Sequence, residues 1–267
     1  MQVIIRIFGR VGQVTLGFLT QLSRIMDLTY QTFYWAIMAP IKGKRIGWKS
    51  TIEQMVRIGY ESIPIVGLIA FFVGLIIAMQ SAYQLAQFGA TIYVANLVAV
   101  SIIRELSPLL TAIVVTGRNG SAITAEIGTM KVSEEIDALK TMGLNPIKFL
   151  VVPRTLAMLI MLPCLTILAD FIGIFGGYLI AMLTLDITSV RYINQTITAL
   201  VFKDLFSGLV KSVFFALIIA SIGNYEGFNV EGGAEGVGKS TTRSVVNSIF
   251  LIIAADVFFT ALFYSTF

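Results

Sequence analysis

The chain has 267 residues, of which 57% are hydrophobic and only 13% charged, with a mean hydropathy of +0.87 and a formal net charge of +4. Soluble domains carry roughly 25% charged residues, so this composition marks an integral membrane protein. There is no histidine and one cysteine, Cys164; an intrachain disulfide and a His/Cys metal site are thereby excluded, and Cys164, set in an apolar stretch, reads as a small packing residue.

The first segment, MQVIIRIFGRVGQVTLGFLTQL, lacks the unbroken apolar core and small-residue cleavage site of a signal peptide and is expected to stay in the mature protein. Ile4, Ile7, Phe8, Val11, Val14, Phe18 and Leu22 recur at helical spacing with Arg6, Arg10 and Arg24 between them. That pattern suits a helix lying in the membrane interface, and residues 1–60 are read as an interfacial, amphipathic segment. Trp35 and Trp48 flank Lys42, Lys44, Arg45 and Lys49. Such a basic stretch fits anionic headgroups, and equally the ordinary flank of a first span.

From Ser62 to Ile103 there is no Asp, Glu, Lys or Arg, whereas one spanning helix needs only about 20 apolar residues. Five spans are expected, at about Ser62–Tyr83, Val94–Gly117, Thr155–Leu185, Leu205–Tyr225 and Ser244–Phe267, in an all-α membrane fold. The third is too long for the hydrocarbon core and scarcely long enough for a hairpin, so it is read as one helix, tilted or bent near Pro163. Eight Lys/Arg precede the first span and five lie from Arg118 to Arg154, while the loop from Gln84 to Tyr93 has none. The positive-inside rule therefore puts the amino terminus and the 118–154 insert in the cytoplasm. Charge does not orient the C-terminal half, where Arg191 and Lys203 in one loop are matched by Lys239 and Arg243 in the next.

The insert, AEIGTMKVSEEIDALKTMGLNP, reads as a short, well-capped helix. Ser133 is its cap, Glu134, Glu135 and Asp137 sit at its positive end, Lys140 lies in its last turn, and Gly143 with Pro146 stops it. Ile136, Leu139 and Met142 leave an apolar stripe beside the acidic face, suited to a groove in a soluble partner or to packing on the chain's own bundle. Further on, residues 233–240 (GAEGVGKS) match the pattern G-x-x-x-x-G-K-[ST]. A phosphate-binding loop must follow a strand and open a helix in an α/β domain. Here apolar spans lie on both sides, so the segment, within a Gly-rich loop over 226–243, is read as tight turns near the membrane surface, with Lys239 and Arg243 facing headgroups or a partner.

Three segments carry a resemblance: LIIAMQSAYQLAQFGA, SIIRELSPLLTAIVVTGRNGSAITAEIGTMKVSEEIDALKTMGLNPIKFLVVPR and EGFNVEGGAEGVGKSTTRSVVNSIFLIIAADVFFTAL. Across most of residues 70–265 the chain resembles the MlaE-type permeases, membrane subunits of ABC transporters that move lipids together with MCE-domain proteins. The resemblance implies a permease dimer with a second copy of the chain and a cytoplasmic ATPase on each copy. It also implies a periplasmic MCE-domain protein and phospholipid as partners, no nucleic acid, and a place in a bacterial inner membrane. It makes Glu126 to Met142 the coupling helix, with Glu126, Glu134, Glu135, Asp137 and Lys140 toward the ATPase. ATP and Mg would belong to that partner; the chain itself would hold no cofactor and catalyse no reaction.

Charges inside spans cost roughly 2.5–3.5 kcal/mol each on insertion scales and are seldom idle. Arg104 and Glu105, neighbours in the second span, point about 100° apart and each needs a separate partner. Arg104 is read as a contact for lipid phosphate and Glu105 as more structural, both being cavity candidates with Tyr83 at the mouth. Asp170, Lys211 and Asp256 fall in the third, fourth and fifth spans, where an ion pair of Lys211 with either aspartate would make burial tolerable. The alternative function is a proton-coupled secondary transporter with Glu105, Asp170 and Asp256 as a relay, and a third is a membrane-anchored nucleotide-binding protein resting on residues 233–240.

Overall fold

A computed structural model describes residues 2–41, 47–185 and 187–266. Among these residues every regular element is helical, and five helices are long and apolar enough to cross a membrane. The chain is an all-α, multi-pass membrane protein. Helix α1 (Gln2–Ile41) is followed by α2 (Trp48–Ile58), which runs through a 3₁₀ turn at Tyr60–Ser62 into α3 (Ile63–Ala86), the first span. The second span is one path made of α4 (Val94–Ser101), α5 (Ser107–Val115) and α6 (Ser121–Val132), joined by π-turns at Ile102–Leu106 and Thr116–Gly120. Short α7 (Glu135–Thr141) leads through a π-turn at Ile147–Val151 to α8 (Val152–Thr184). The chain then forms α9 (Ser189–Ala199), α10 (Phe202–Phe228) and α11 (Gly233–Thr266).

The expected long third span is a single 33-residue helix with Pro163 inside it. At about 1.5 Å per residue it reaches roughly 50 Å, well beyond a hydrocarbon core of about 30 Å. Helices α3 and α8 make the tightest pairing in the bundle because glycines remove the side chains between them. A Cβ at Gly74 would stand 2.0 Å from the Gly173 carbonyl oxygen, and one at Gly176 would stand 2.5 Å from that of Phe71. Small residues at such crossings let backbones approach and gain dispersion contact, which lipid tails cannot supply as directional packing. The main core lies nearer the end that carries α7: Ile58, Ile127, Ile136, Met158, Leu162, Phe215 and Ile219 pack there from five helices. Cys164 lies on an exposed face of α8 instead of packing inside.

The order of the helices settles the question that loop charge left open. Gly128 in α6 abuts Val230 and Val237, so the connection from α10 to α11 lies at the same end as α7. At the opposite end α9 packs on α4 and on the 3₁₀ turn Thr91–Tyr93. The Gly-rich segment also differs from the expected loop. Residues 226–228 still belong to α10, only 229–232 connect, and from Gly233 the chain is helical through the look-alike of the phosphate motif. Gly232 and Gly233 hold positive φ, and Gly236 is needed because a Cβ there would meet the Glu231 carbonyl oxygen at 1.7 Å. Lys239 folds back onto Glu235 one turn earlier, at 2.7 Å. The segment is the first two turns of the last span, preceded by a helix where a phosphate loop has a strand.

Lys42, Lys44 and Arg45 of the basic stretch lie outside the described residues, as do, within α1, the side chains of Ile4, Arg6, Ile7, Phe8, Arg10, Val11, Val14 and Phe18. The later part of α1 docks on the bundle. Thr29 donates to the Ser221 hydroxyl at 2.9 Å, Gln21 Nε2 lies 3.4 Å from Glu226 Oε1, and Thr32 is buried. Around them Met26, Tyr30, Phe33, Tyr34 and Ile37 stay exposed.

Candidate substrate site and coupling surface

The π-turn at Ile102–Leu106 winds an extra residue into the second span, widening it where Arg104 and Glu105 sit. Helix α10 closes against this turn at Gly208, where a Cβ would come within 2.3 Å of the Ile103 carbonyl oxygen. One turn further along α10, Lys211 is fully buried and its Nζ reaches Glu105 Oε2 at 2.5 Å and Thr260 Oγ1 at 2.7 Å. Asp256 Oδ1 stands 2.9 Å from the same ammonium, close enough for an ion pair but poorly angled for a hydrogen bond. The Thr260 hydroxyl in turn lies 3.1 Å from Glu105 Oε1 and can donate to it. One cation and two carboxylates from the second, fourth and fifth spans thus form a network that makes burial of the lysine tolerable.

Sequence reasoning offered Lys211 two aspartates. The structure joins it to Asp256 and to Glu105, and leaves Asp170 out. Asp170 is buried in α8 beside Ser107, and no ion pair or hydrogen bond links it to Lys211 among the described residues. It lines an apolar cavity of about 330 Å³ with Ile103, Phe171 and Phe202. A sequence read helix by helix has no view of which faces meet, and Glu105 was missed as the partner because it sits on a π-turn that shifts its direction.

Arg104 points the other way. Its Nε lies 3.6 Å from Asp204 Oδ1, too far for a hydrogen bond. Asp204 is already engaged at the start of α10, where its Oδ2 accepts from the Val201 amide at 3.1 Å. Among the described residues Arg104 makes no hydrogen bond, and about a third of its side chain is exposed. A guanidinium has five N–H donors and a planar fork that suits carboxylate and phosphate oxygens. Tyr83 is largely exposed in the last turn of α3, and no hydrogen bond joins it to this group among the described residues.

At the end that carries α7 the insert departs from a single capped helix. Helix α6 continues the second span to Val132, and Glu126 lies within it. The Glu126 carboxylate accepts from Arg57 of α2 and from Arg154 of α8, the latter at 2.9 Å. Arg154 is almost wholly buried and also donates to the Leu150 carbonyl. Glu126 is therefore a clasp holding three helices, and its carboxylate is turned inward. A second clasp lies at the next π-turn, where Arg118 donates to Glu61 Oε2 at 2.7 Å and to Ser62 Oγ at 2.8 Å.

Ser133 ends α6 instead of capping α7, its hydroxyl donating back to the Thr129 carbonyl at 2.9 Å. Glu134 then takes φ 61° in the left-handed region and turns the chain, giving an α7 of only seven residues. Gly143, at φ 72°, stops it. Ile136 is buried in the main core and anchors α7 to the bundle, so the expected apolar stripe is divided: Ile136 faces in, Leu139 is half-buried and Met142 is exposed. Glu134, Glu135, Asp137 and Lys140 are exposed. Lys140 donates to Asp137 at 2.8 Å and, with Lys131 at 3.8 Å, holds the Asp137 carboxyl below the usual carboxylate range. Among the described residues no cluster of His, Cys, Asp and Glu could hold a metal ion.

Charged residues inside the second span, a helix turned out at one end and an arginine between apolar helices that makes no hydrogen bond among the described residues are features of a transporter subunit. The comparisons with known proteins agree. A probable ABC transporter permease protein of Rickettsia felis is 38% identical over 261 residues, covering 98% of this chain and 99% of its own. One from a Synechocystis strain is 42% identical over 214 residues, covering 80% and 81%. The chloroplast protein trigalactosyldiacylglycerol 1 of Arabidopsis thaliana is 36% identical over 228 residues, 85% of this chain and 65% of its own. With residues 51–262 matching the permease MlaE family as well, the chain belongs to the MlaE family of ABC transporter permeases.

Proposed function

We propose that this chain is the membrane subunit of an ATP-driven transporter that moves phospholipids between a bacterial inner membrane and a conduit of MCE-domain protein. Two copies would form the permease, each taking a cytoplasmic ATPase at α7. The observation that carries the reading is Arg104: set amid spanning helices and partly exposed, its guanidinium has only a loose 3.6 Å ion pair with Asp204, and its N–H donors lack a hydrogen-bond partner among the described residues. A lipid phosphate supplies one. The name of the chloroplast relative contains that of a glycolipid, which favours a lipid substrate class. ATP and Mg belong to the partner ATPase, and the chain serves as a non-catalytic subunit with α7 as the coupling element. The proton-relay alternative needs Asp170 in line with Glu105 and Asp256, and no hydrogen bond or ion pair joins it to them among the described residues.

The test is to extract the tagged chain from native membranes in mild detergent and identify the co-purifying proteins and lipids with their stoichiometry. An ATPase and an MCE-domain protein in fixed ratio, with phospholipid that is lost in Arg104→Ala, are expected. A solitary chain whose lipid content ignores Arg104→Ala would overturn the proposal.

A further inference from the structure

The largest cavity described lies away from the charge network, at the end that carries α7. It holds about 550 Å³, within the range of about 300–1,000 Å³ typical of small-molecule sites. Its walls come from α1, α6, α7 and the end of α10, and three cations converge on it from different elements: Arg24 from α1, Lys131 from α6 and Lys140 from α7. Two carboxylates oppose them. Asp137 is shared by Lys131 and Lys140. Asp27, on the cavity wall, accepts from Gln31 Nε2 at 3.0 Å. Arg24 has no ion-pair partner among the described residues, so the site carries a surplus positive charge and an unused guanidinium.

The surroundings indicate where an anion would come from. Tyr225 and Phe228 on the cavity wall are in the final turn of α10, where a spanning helix meets the polar interface. Between and just beyond Arg24 and Asp27, α1 exposes Met26, Tyr30, Phe33, Tyr34 and Ile37. Aromatic and apolar residues in that position are at home among headgroups and upper acyl chains. A basic pocket between helices at a membrane surface is the arrangement that holds anionic lipid headgroups.

We propose that this cavity binds the headgroup of one anionic phospholipid of the surrounding leaflet, as a site separate from the substrate site at Arg104. Because the cations belong to α1, α6 and α7, the bound phosphate ties α7 to the interfacial helix, and the position of α7 becomes sensitive to the membrane's content of anionic lipid. The binding itself does not depend on the proposed transport activity.

The test uses the full-length chain purified in detergent and stripped of lipid, titrated with short-chain phosphatidylglycerol, short-chain phosphatidylcholine and glycerol 3-phosphate. Phosphatidylglycerol should bind saturably, and Arg24→Gln with Lys131→Gln should weaken it at least tenfold. Arg104→Ala should leave that affinity unchanged. Wild-type protein should also be protected from heat by phosphatidylglycerol and not by glycerol 3-phosphate, a readout that requires no variant to fold. Equal affinity in the double variant overturns the proposal, as does phosphatidylcholine binding that matches phosphatidylglycerol and is weakened as much by the double variant. Glycerol 3-phosphate binding as tightly as the lipid would assign the cavity to a soluble phosphate and overturn the lipid reading. Loss of binding in Arg104→Ala alone would move the lipid to the substrate site, overturning this proposal and leaving the proposed function intact.

Discussion

Replacing Lys211 by leucine removes the one cation of the intramembrane network while keeping a shorter, apolar side chain. Its ammonium is fully buried, and the groups it leaves behind differ in how far the protein covers them: the Asp256 side chain is 14% exposed and that of Glu105 is 35% exposed. Breaking a buried pair from one side costs about 3–5 kcal/mol, because the abandoned charge stays desolvated. Glu105 recovers part of that through the Thr260 hydroxyl, 3.1 Å away, whereas Asp256 Oδ1 has no hydrogen-bond partner among the described residues, so most of the penalty falls on Asp256. The expected loss in Lys211→Leu is therefore about 3 kcal/mol, seen as a lower unfolding temperature and a smaller folded fraction on size-exclusion chromatography in detergent. Asp256→Asn in the same chain should restore most of it and Glu105→Gln less, because neutralising the more buried carboxylate removes the larger penalty. A single variant as stable as wild type, or a double variant no better than the single one, would refute the account of this network as a desolvated ion pair.

The glycine that admits α10 to the π-turn gives a second case. Gly208→Ala must displace the Ile103 carbonyl, which a Cβ would approach to 2.3 Å, and should cost about 1–3 kcal/mol. Gly238→Ala in α11 meets nothing within 4 Å and should be neutral or gain about 0.5–1 kcal/mol; thermal melts that reverse this order would contradict the packing argument. Glu126→Gln should lower stability by about 1–3 kcal/mol by unpairing nearly buried Arg154, whereas Arg57→Gln, at an exposed end of the same clasp, should cost less than about 1 kcal/mol. Reversing the charges of Glu134 and Glu135 together should weaken co-purification of the ATPase without changing the melting profile, and retained association would remove these residues from the docking surface.

Much of the architecture was legible from hydropathy alone, because a span is defined by about 20 local residues. The five spanning helices and the single long α8 follow from such counts. The insert was legible as a polar interruption but not as a shape: nothing in Ser133-Glu134 announces a left-handed turn, since glycine is its usual occupant and here a glutamate holds it. The stripe of Ile136, Leu139 and Met142 was open to a partner's groove or to the chain's own bundle, because helical spacing identifies a face without saying what covers it; for Ile136 it is the bundle. At the charge network the residue types were readable, since an intramembrane charge needs a partner, but the partners were chosen by tertiary contact. The helical reading of residues 233–240 was hidden by their glycines, which suggest turns to a local eye, although Gly233 opens the helix and Gly236 lets the Glu231 carbonyl approach.

The two π-turns of the second span have a consequence for register. Each adds a residue to a helix that advances about 100° per position, so the segment from Ser121 to Val132 is rotated relative to where a plain α-helix begun at Val94 would place it. Arg118, within the second turn, meets Glu61, and Glu126, beyond both, meets Arg154. Deleting one residue within 102–106 would leave the span just as apolar and nearly as long, yet turn every later side chain to a different neighbour. In this helix, distance along the sequence acts as an angular setting: one end is dialled to the charges within the bilayer and the other to the arginines at its edge.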